Sequence, residues 1–112
     1  MRDSVSGGAL TEATFFILLS VYSAKHGYAI RQFVEDRTSG RLLLGAGTLY
    51  GALTALQEKG WIVRCKSESM RRKEYLITEQ GKAIVKKELC RLKEIARIAD
   101  SIIKTEVLNC KP

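Results

Sequence analysis

Proline, histidine and cysteine are scarce in this sequence, and each scarcity argues against a class of structure. The single proline is the last of the 112 residues, so no proline breaks a helix or marks a linker between domains. His26 is the only histidine, and Cys65, Cys90 and Cys110 show no C-x-x-C spacing. These residues favour neither a disulfide framework nor a tetrahedral zinc site. With no Ser/His/Asp set and no paired carboxylates in an apolar setting, we predict a protein without cofactor or metal that is not an enzyme.

Long apolar segments are missing as well. The longest is FFILLSVYSA at 15–24, which is too short to cross a bilayer. Acidic Asp3 and Glu12 argue against a signal peptide, whose leading segment is cationic. We interpret this segment as a buried helix, and we expect a cytoplasmic protein with no membrane partner.

Acidic residues are fewer than basic ones. The chain carries 19 Lys and Arg against 12 Asp and Glu, which gives a formal net charge of +7. A surface field of this sign favours polyanionic partners, either nucleic acids or anionic membranes. The basic residues concentrate at 64–73 and at 82–97. A run of charge is often only a solvated surface, but the first cluster is compact and falls in a predicted turn, which favours a binding site.

Three short helices are predicted in the first half of the chain. Thr11 caps a first helix over 11–24, and apolar residues three and four positions apart predict a second over 27–38. A third helix opens at Gly45 and stops at Gly60, since glycine commonly follows the end of a helix. The apolar side of this third helix comprises Leu49, Leu53 and Leu56.

After Gly60 the apolar period changes to two, which predicts strands. The segment KEYLIT at 73–78 places Tyr75 and Ile77 on one face, and SESMRR at 67–72 is the natural loop of an antiparallel hairpin. In the preceding strand, WIVRCK at 61–66, one side is predicted to carry Trp61, Val63 and Cys65, and the other Ile62, Arg64 and Lys66.

A long last helix is predicted from its capping residue, Thr78, to about Leu108. Its apolar residues follow alternating steps of four and three, the pattern of a coiled-coil seam. About 30 residues, or roughly 45 Å of helix, exceed what a small core can cover, so a second copy of the chain is the simplest partner. The alternative is a helix that packs only on its own domain. The predicted seam comprises Val85, Leu89, Leu92, Ala96, Ala99 and Ile103, widened by Ile95, Ile98 and Ile102.

Two folds compete for the glycine-rich stretch GAGTLYG at 45–51. With Glu68 about 20 residues further on, it imitates a dinucleotide-binding fingerprint. The segments before it are helical, however, and the strands at 61–66 and 73–78 must be antiparallel because a short loop joins them. We therefore predict a mainly α fold with a small β-hairpin: a mobile arm at 1–10, a winged helix-turn-helix at 11–78, a dimerisation helix at 79–108 and a tail at 109–112.

Several short motifs resemble those of the PadR-like family of winged-helix transcriptional regulators. The match covers about residues 10–108 and includes HGYAI at 26–30 and GTLYGALTAL at 47–56, in the expected order. It continues through KGW at 59–61, RRKEYLIT at 71–78 and the following TEQG. The resemblance to the compact subgroup of this family implies a homodimer joined through the first and last helices, which adds Phe15 to the predicted interface.

The resemblance also implies which residues contact double-stranded DNA. Thr48 and Tyr50 would face phosphate and groove at the start of the recognition helix, Tyr28 would touch the backbone, and the basic wing would include Lys73. Tyr28 and Tyr50 have an alternative role as partly buried core residues. Helical phase suggests Thr54 and Gln57 as readers of base edges. The complete predicted DNA-binding set is Tyr28, Gly47, Thr48, Tyr50, Gly51, Thr54, Gln57, Lys66, Arg71, Arg72 and Lys73.

The sequence also departs from the family pattern in three places, one of which is Glu74, where the family commonly has the first of two aromatic residues. The wing loop contains no glycine, and the last helix contains no tryptophan, so an aromatic ligand held between tryptophans is not supported. Small Ala96 and Ala99, with Phe15 and Phe16 nearby, leave open an apolar space for a small-molecule inducer. Our hypothesis is a homodimeric repressor of a pseudo-palindromic operator. The alternative is a winged-helix module that binds another protein through its last helix and binds DNA weakly or not at all.

Overall fold

A computed structural model describes residues 8–65 and 73–109, with side chains to residue 106. The chain forms four helices and three short strands within these ranges. Outside these ranges lie residues 1–7 of the arm predicted at 1–10, residues 110–112 of the tail predicted at 109–112, and the wing residues Lys66, Arg71 and Arg72. The elements are α1 (Glu12–Ser20), β1 (Lys25–His26), α2 (Gly27–Arg37), α3 (Ala46–Glu58), β2 (Ile62–Cys65), β3 (Glu74–Ile77) and α4 (Glu79–Asn109). This arrangement confirms the predicted fold class of a winged helix with a long C-terminal helix.

The sheet contains one strand more than the predicted hairpin. Its order is β1-β3-β2, and both pairings are antiparallel. The prediction that α1 extends to residue 24 is wrong: Val21 ends the helix, and its carbonyl accepts a hydrogen bond from the Ile77 N–H at 2.9 Å. The chain then runs into β1, where Lys25 pairs with Tyr75. A strand of two residues has no alternation of its own, which is why the sequence pattern does not reveal it.

The buried face of β2 is the opposite of the predicted one. Ile62 is 1% exposed and pairs with Ile77, whereas Val63 is 47% exposed and pairs with Leu76. The prediction counted the alternation of buried and exposed residues from Trp61. Trp61 lies before the strand, however, in the turn that begins at Gly60 with φ of +79°, so the buried face starts at Ile62. The burial of Tyr75 and Ile77 on one face of β3 is as predicted.

The core lies between the first three helices and one face of the sheet. The predicted leucine side of α3 is confirmed, since Leu49, Leu53 and Leu56 are all buried. Val85, by contrast, is 5% exposed and belongs to this core, so it is not available to a second chain as the seam prediction required. The first turns of α4 therefore pack on their own domain. The remaining buried apolar residues are Ile17, Leu18, Val21, Ile30, Val34, Leu44, Ile62, Tyr75 and Ile77.

A buried carboxylate ties the segment before α1 to α4. Glu88 is 4% exposed and accepts a hydrogen bond of 2.9 Å from Arg91 Nε. Arg91 holds the pKa of Glu88 below its usual value, against the opposing effect of burial, and the backbone N–H of Leu10 lowers it further. A lowered pKa means that this interaction stabilises the fold at neutral pH and is lost as the pH falls through that pKa.

Thr78 joins the end of α3, the sheet and the start of α4. Its N–H donates to the Trp61 carbonyl at 3.0 Å, and its hydroxyl donates to the Gly60 carbonyl at 2.7 Å. The same hydroxyl accepts from the Gly81 N–H at 3.0 Å, which confirms Thr78 as the cap of the last helix. A Cβ on Gly81 would lie 2.2 Å from the Trp61 carbonyl oxygen. Glycine at position 81 is therefore what allows α4 to start so close to β2.

We expect Gly81→Ala to lower the free energy of unfolding by about 3 kcal/mol. The new methyl group would overlap the Trp61 carbonyl oxygen, so the backbone of α4 or the backbone at Trp61 must shift. Gly51→Ala is the matched control. Nothing lies within 4 Å of a Cβ at position 51, and alanine favours a helix by about 1 kcal/mol over glycine. Urea denaturation of both variants measures the difference, and equal stabilities would contradict the close packing at Gly81.

Candidate nucleic-acid interface

The side of α3 opposite its buried leucines faces solvent. Six residues of the predicted DNA-binding set lie there, and we call this surface the α3 outer face. It comprises Gly47, Thr48, Tyr50, Gly51, Thr54 and Gln57, each of them exposed. The N-cap residue Gly45 provides no side chain to the first turn, and that turn contains no acidic residue. The N–H groups at this helix end therefore remain open to an anion.

The two glycines of the α3 outer face serve no packing purpose among the described residues. No atom lies within 4 Å of a Cβ built on Gly47 or on Gly51. Glycine inside a helix costs about 1 kcal/mol relative to alanine, so the fold would be more stable without them. Their effect is to leave the backbone of α3 bare over its first two turns, where another molecule can approach it closely.

Thr54 and Gln57 differ in what they offer to a partner. The Thr54 hydroxyl donates to the Tyr50 carbonyl at 3.0 Å, one turn back along the helix. Its oxygen therefore remains available mainly as an acceptor. Gln57 is exposed, and its side-chain amide has both donors and an acceptor. Of the two predicted readers of base edges, Gln57 has the wider hydrogen-bonding capacity.

The two predicted tyrosines lie in different surroundings. Tyr28 is 65% exposed on α2, which argues against the core role considered for it. Tyr50 is 50% exposed, but its hydroxyl packs against Gly27, where a Cβ would lie 2.3 Å away. Its ring therefore connects the α3 outer face to the start of α2. Tyr50 therefore has an exposed part, as the surface role requires, and a part packed on Gly27, as the alternative core role requires.

The described part of the wing contributes two cations. Lys73 is exposed just before β3, and Arg64 is exposed on β2 and pairs with Tyr75 across the sheet. Burial raises the pKa of Tyr75, Tyr50 adds to this rise, and Arg64 opposes it. Arg64 therefore lies close enough to Tyr75 to favour the ionised form of its side chain. It was absent from the predicted site, although its membership of the basic cluster at 64–73 was a signal for it.

The exposed apolar residues of α4 form a second surface. Six large apolar side chains of this helix are between 38% and 64% exposed: Leu89, Leu92, Ile95, Ile98, Ile102 and Ile103. The small residues Ala96 and Ala99 are also exposed. Phe15 of α1 is half-buried and lines a depression of about 400 Å³ together with Phe16 and Leu92. Except for Val85, every residue of the predicted dimer interface therefore has an exposed or half-buried side chain that a second chain can contact.

Neither a membrane span nor a metal centre is found in the described part of the chain. No helix within 8–65 and 73–109 is long and apolar enough to cross a bilayer. Over the same residues, no group of three or more His, Cys, Asp and Glu side chains is arranged to hold a metal ion.

The family profile described as "Transcriptional regulator PadR-like family" matches residues 17–87, more than half of the chain. The matched region runs from α1 through the helix-turn-helix and the sheet into the first turns of α4. This chain belongs to the PadR-like family. The predicted resemblance is thereby confirmed, and the protein is a PadR-like transcriptional regulator. The family and its structural neighbours are regulators of transcription, not enzymes.

Individual proteins are also similar to this chain, and the solved structures among them share its fold. The chain is 34% identical over 83 residues to an uncharacterised 37.1 kDa protein in transposon TN4556 of Streptomyces fradiae. The alignment covers 73% of this chain but only 23% of that relative. A PadR family transcriptional regulator from Eggerthella lenta DSM 2243 has a TM-score of 0.71 at 18% identity, covering 82% of this chain and 81% of its own. One from Clostridium difficile R20291 has a TM-score of 0.68 at 21% identity, covering 83% and 99%.

The contact of Tyr50 with Gly27 is testable by a double-mutant cycle. With Tyr50 in place, Gly27→Ala should gain no stability, because the new methyl displaces the ring and offsets the better helix propensity of alanine. In a Tyr50→Ala background the same substitution should raise the free energy of unfolding by up to about 1 kcal/mol. Urea denaturation of the four proteins gives the coupling. Additive effects would mean that the ring does not rest on Gly27.

Proposed function

We propose that this PadR-like regulator is a homodimer that binds double-stranded DNA in a sequence-specific manner and represses transcription from a pseudo-palindromic operator. The observation that best supports this proposal is the α3 outer face. It is exposed, polar and contains two glycines, while the opposite side of the same helix is buried in the core. In a winged helix of this order, α3 is the element that enters the major groove. The net charge of +7 supports a polyanionic partner.

The placement of charge around α3 supports the same proposal. The open N–H groups at the start of α3 suit a phosphate, and two exposed cations, Arg64 on β2 and Lys73 directly before β3, belong to the wing. Contacts of this kind position a protein on DNA, and side chains such as Gln57 then distinguish bases. Repression requires only that the bound protein occupies its operator.

DNA binding is tested by fluorescence anisotropy with a duplex from the promoter of the gene that encodes this chain and a scrambled duplex of equal composition. We expect selective binding, with log K falling against log salt at a slope of about −9 for ~10 phosphate contacts per dimer. Gly51→Ala should bind the promoter duplex at least about tenfold more weakly, since its methyl blocks close approach, although the variant is no less stable. Equal, weak binding to both duplexes would contradict the proposal.

The exposed apolar side of α4 supports the homodimer. A helix of 31 residues whose large apolar side chains face solvent requires a partner surface, and an identical helix provides one. Two α3 helices related by a two-fold axis then read half-sites roughly 34 Å apart. The alternative function, a module that holds a different protein through α4, would leave the purified chain monomeric.

We expect Leu92→Lys to convert the dimer to a monomer, because a lysine charge in an apolar interface costs about 3 kcal/mol or more. Ser101→Lys is the matched control: it adds the same charge at an exposed position nine residues further on, on the opposite side of α4. Sedimentation velocity distinguishes the two variants. A Leu92→Lys variant that sediments as a dimer would place the interface elsewhere, and a monomeric unmodified chain would favour the alternative function.

A further inference from the structure

The connection between α2 and α3 is fixed by side chains at both of its ends. At its start, the Thr38 hydroxyl donates to the Val34 carbonyl at 2.9 Å and accepts from the Leu42 N–H at 3.0 Å. In its middle, Arg41 forms an ion pair with Glu12 of α1. The end of the connection, next to α3, is held by a residue that the predicted site did not include.

That residue is Arg31, in the middle of α2. Its Nε donates to the carbonyl oxygen of Leu44 at 2.9 Å, across thirteen positions of sequence. Leu44 is buried and directly precedes Gly45, the N-cap of α3. A hydrogen bond from an ionised donor is stronger than one between neutral groups. Arg31 therefore links the body of α2 to the point where the proposed recognition helix begins.

The rest of the Arg31 guanidinium is available to a ligand. The group has five N–H donors, and only the Nε donor is used by Leu44. Within residues 8–65 and 73–109, no carboxylate lies within ion-pair distance of Arg31, and Glu35, one turn further along α2, is not paired with it. Arg31 itself is exposed. Among the described residues, its terminal N–H groups have no ion-pair partner and are left for a ligand.

Arg31 also borders a groove that is lined by Tyr28, a residue of the predicted DNA-binding set. The groove has a volume of about 190 Å³ and lies between α2 and the connection. Tyr28, one turn before Arg31 on the same side of α2, stands at this groove and is 65% exposed. Tyr28 is the residue of α2 already predicted to touch the DNA backbone. Arg31 is therefore placed to bind a phosphate beside it.

We propose that Arg31 is a positioning residue of the DNA-binding site, whose Nε–H fixes the start of α3 while its terminal N–H groups bind a backbone phosphate. This inference rests on the proposed function, because it needs DNA as the ligand. The planar guanidinium carries both contacts at once, on different edges. A lysine ammonium is a single point charge on a flexible stem, so it can reach the phosphate or the carbonyl but does not hold both in a fixed geometry.

The experiment compares Arg31→Ala, Arg31→Lys and the control Arg37→Ala in full-length protein, by anisotropy over a salt series with the promoter and scrambled duplexes. Arg37→Ala removes the same charge from the same helix, but Arg37 lies over the Phe33 ring, six positions further along α2. Arg31→Ala should bind the promoter duplex about tenfold more weakly than Arg37→Ala does. Its salt slope should be shallower by about two, because each protomer then binds one phosphate fewer.

Arg31→Lys separates the two parts of the role. It should keep the salt slope of the unmodified chain, since its charge remains, but lose about tenfold in the ratio of promoter to scrambled binding, since the start of α3 is no longer held. A second measurement needs no DNA. Hydrogen exchange of the first amides of α3 that are bonded within the helix, beginning at Leu49, should be faster in both Arg31 variants than in Arg37→Ala.

The outcomes are distinct for the two proposals. An unmodified chain that binds neither duplex selectively would reject the proposed function and the role of Arg31 with it. If the unmodified chain binds selectively, Arg31→Ala that matches Arg37→Ala would reject the phosphate contact. Arg31→Lys that matches the unmodified chain in selectivity and in hydrogen exchange would reject the positioning role.

Discussion

One hydroxyl group holds together the elements on which this fold depends. Thr78 donates to the end of the α3 segment at Gly60 and accepts from Gly81 at the start of α4, while its backbone pairs with Trp61. The end of α3, the entry to β2, the exit of β3 and the start of α4 therefore meet within hydrogen-bond distance of a single residue. Because Gly81 has no side chain, these elements approach without a gap. The direction in which α4 leaves the domain is set at this junction relative to α3.

The two sides of α3 serve different purposes, and the structure keeps them separate. Three buried leucines attach the helix to the core, and substitutions there would act on stability. The opposite side contains two glycines that lower stability, although a Cβ at either position would meet no other part of the described chain. A helix built for stability alone would carry alanine at both positions. The local conflict between propensity and sequence marks a surface where another molecule is expected to lie against the backbone.

Sequence periodicity predicted the elements whose own residues carry the pattern. The leucine side of α3 and the cap at Thr78 follow from local spacing. The two-residue strand β1 did not, because it depends on pairing with β3, far along the chain. The face of β2 did not either, because Trp61 lies in the turn before the strand and not in the strand itself. Val85 fits the seam of α4, but spacing along a helix does not say which surface covers each residue. Arg31 belongs to no local motif, and its role arises only from the contact with Leu44.

The length of α4 has a geometric consequence for the proposed dimer. Its 31 residues extend about 46 Å, and its base is attached to the winged helix only through its first turns. A tilt of about 5° at that base displaces the far end by about 4 Å, a little more than the rise of one base pair. In the proposed dimer, a small change in packing near Thr78 or Val85 would therefore alter the distance between the two recognition helices by about one base-pair step. Operator spacing in such a dimer would then depend on the packing at the base of α4, even with the residues of α3 unchanged.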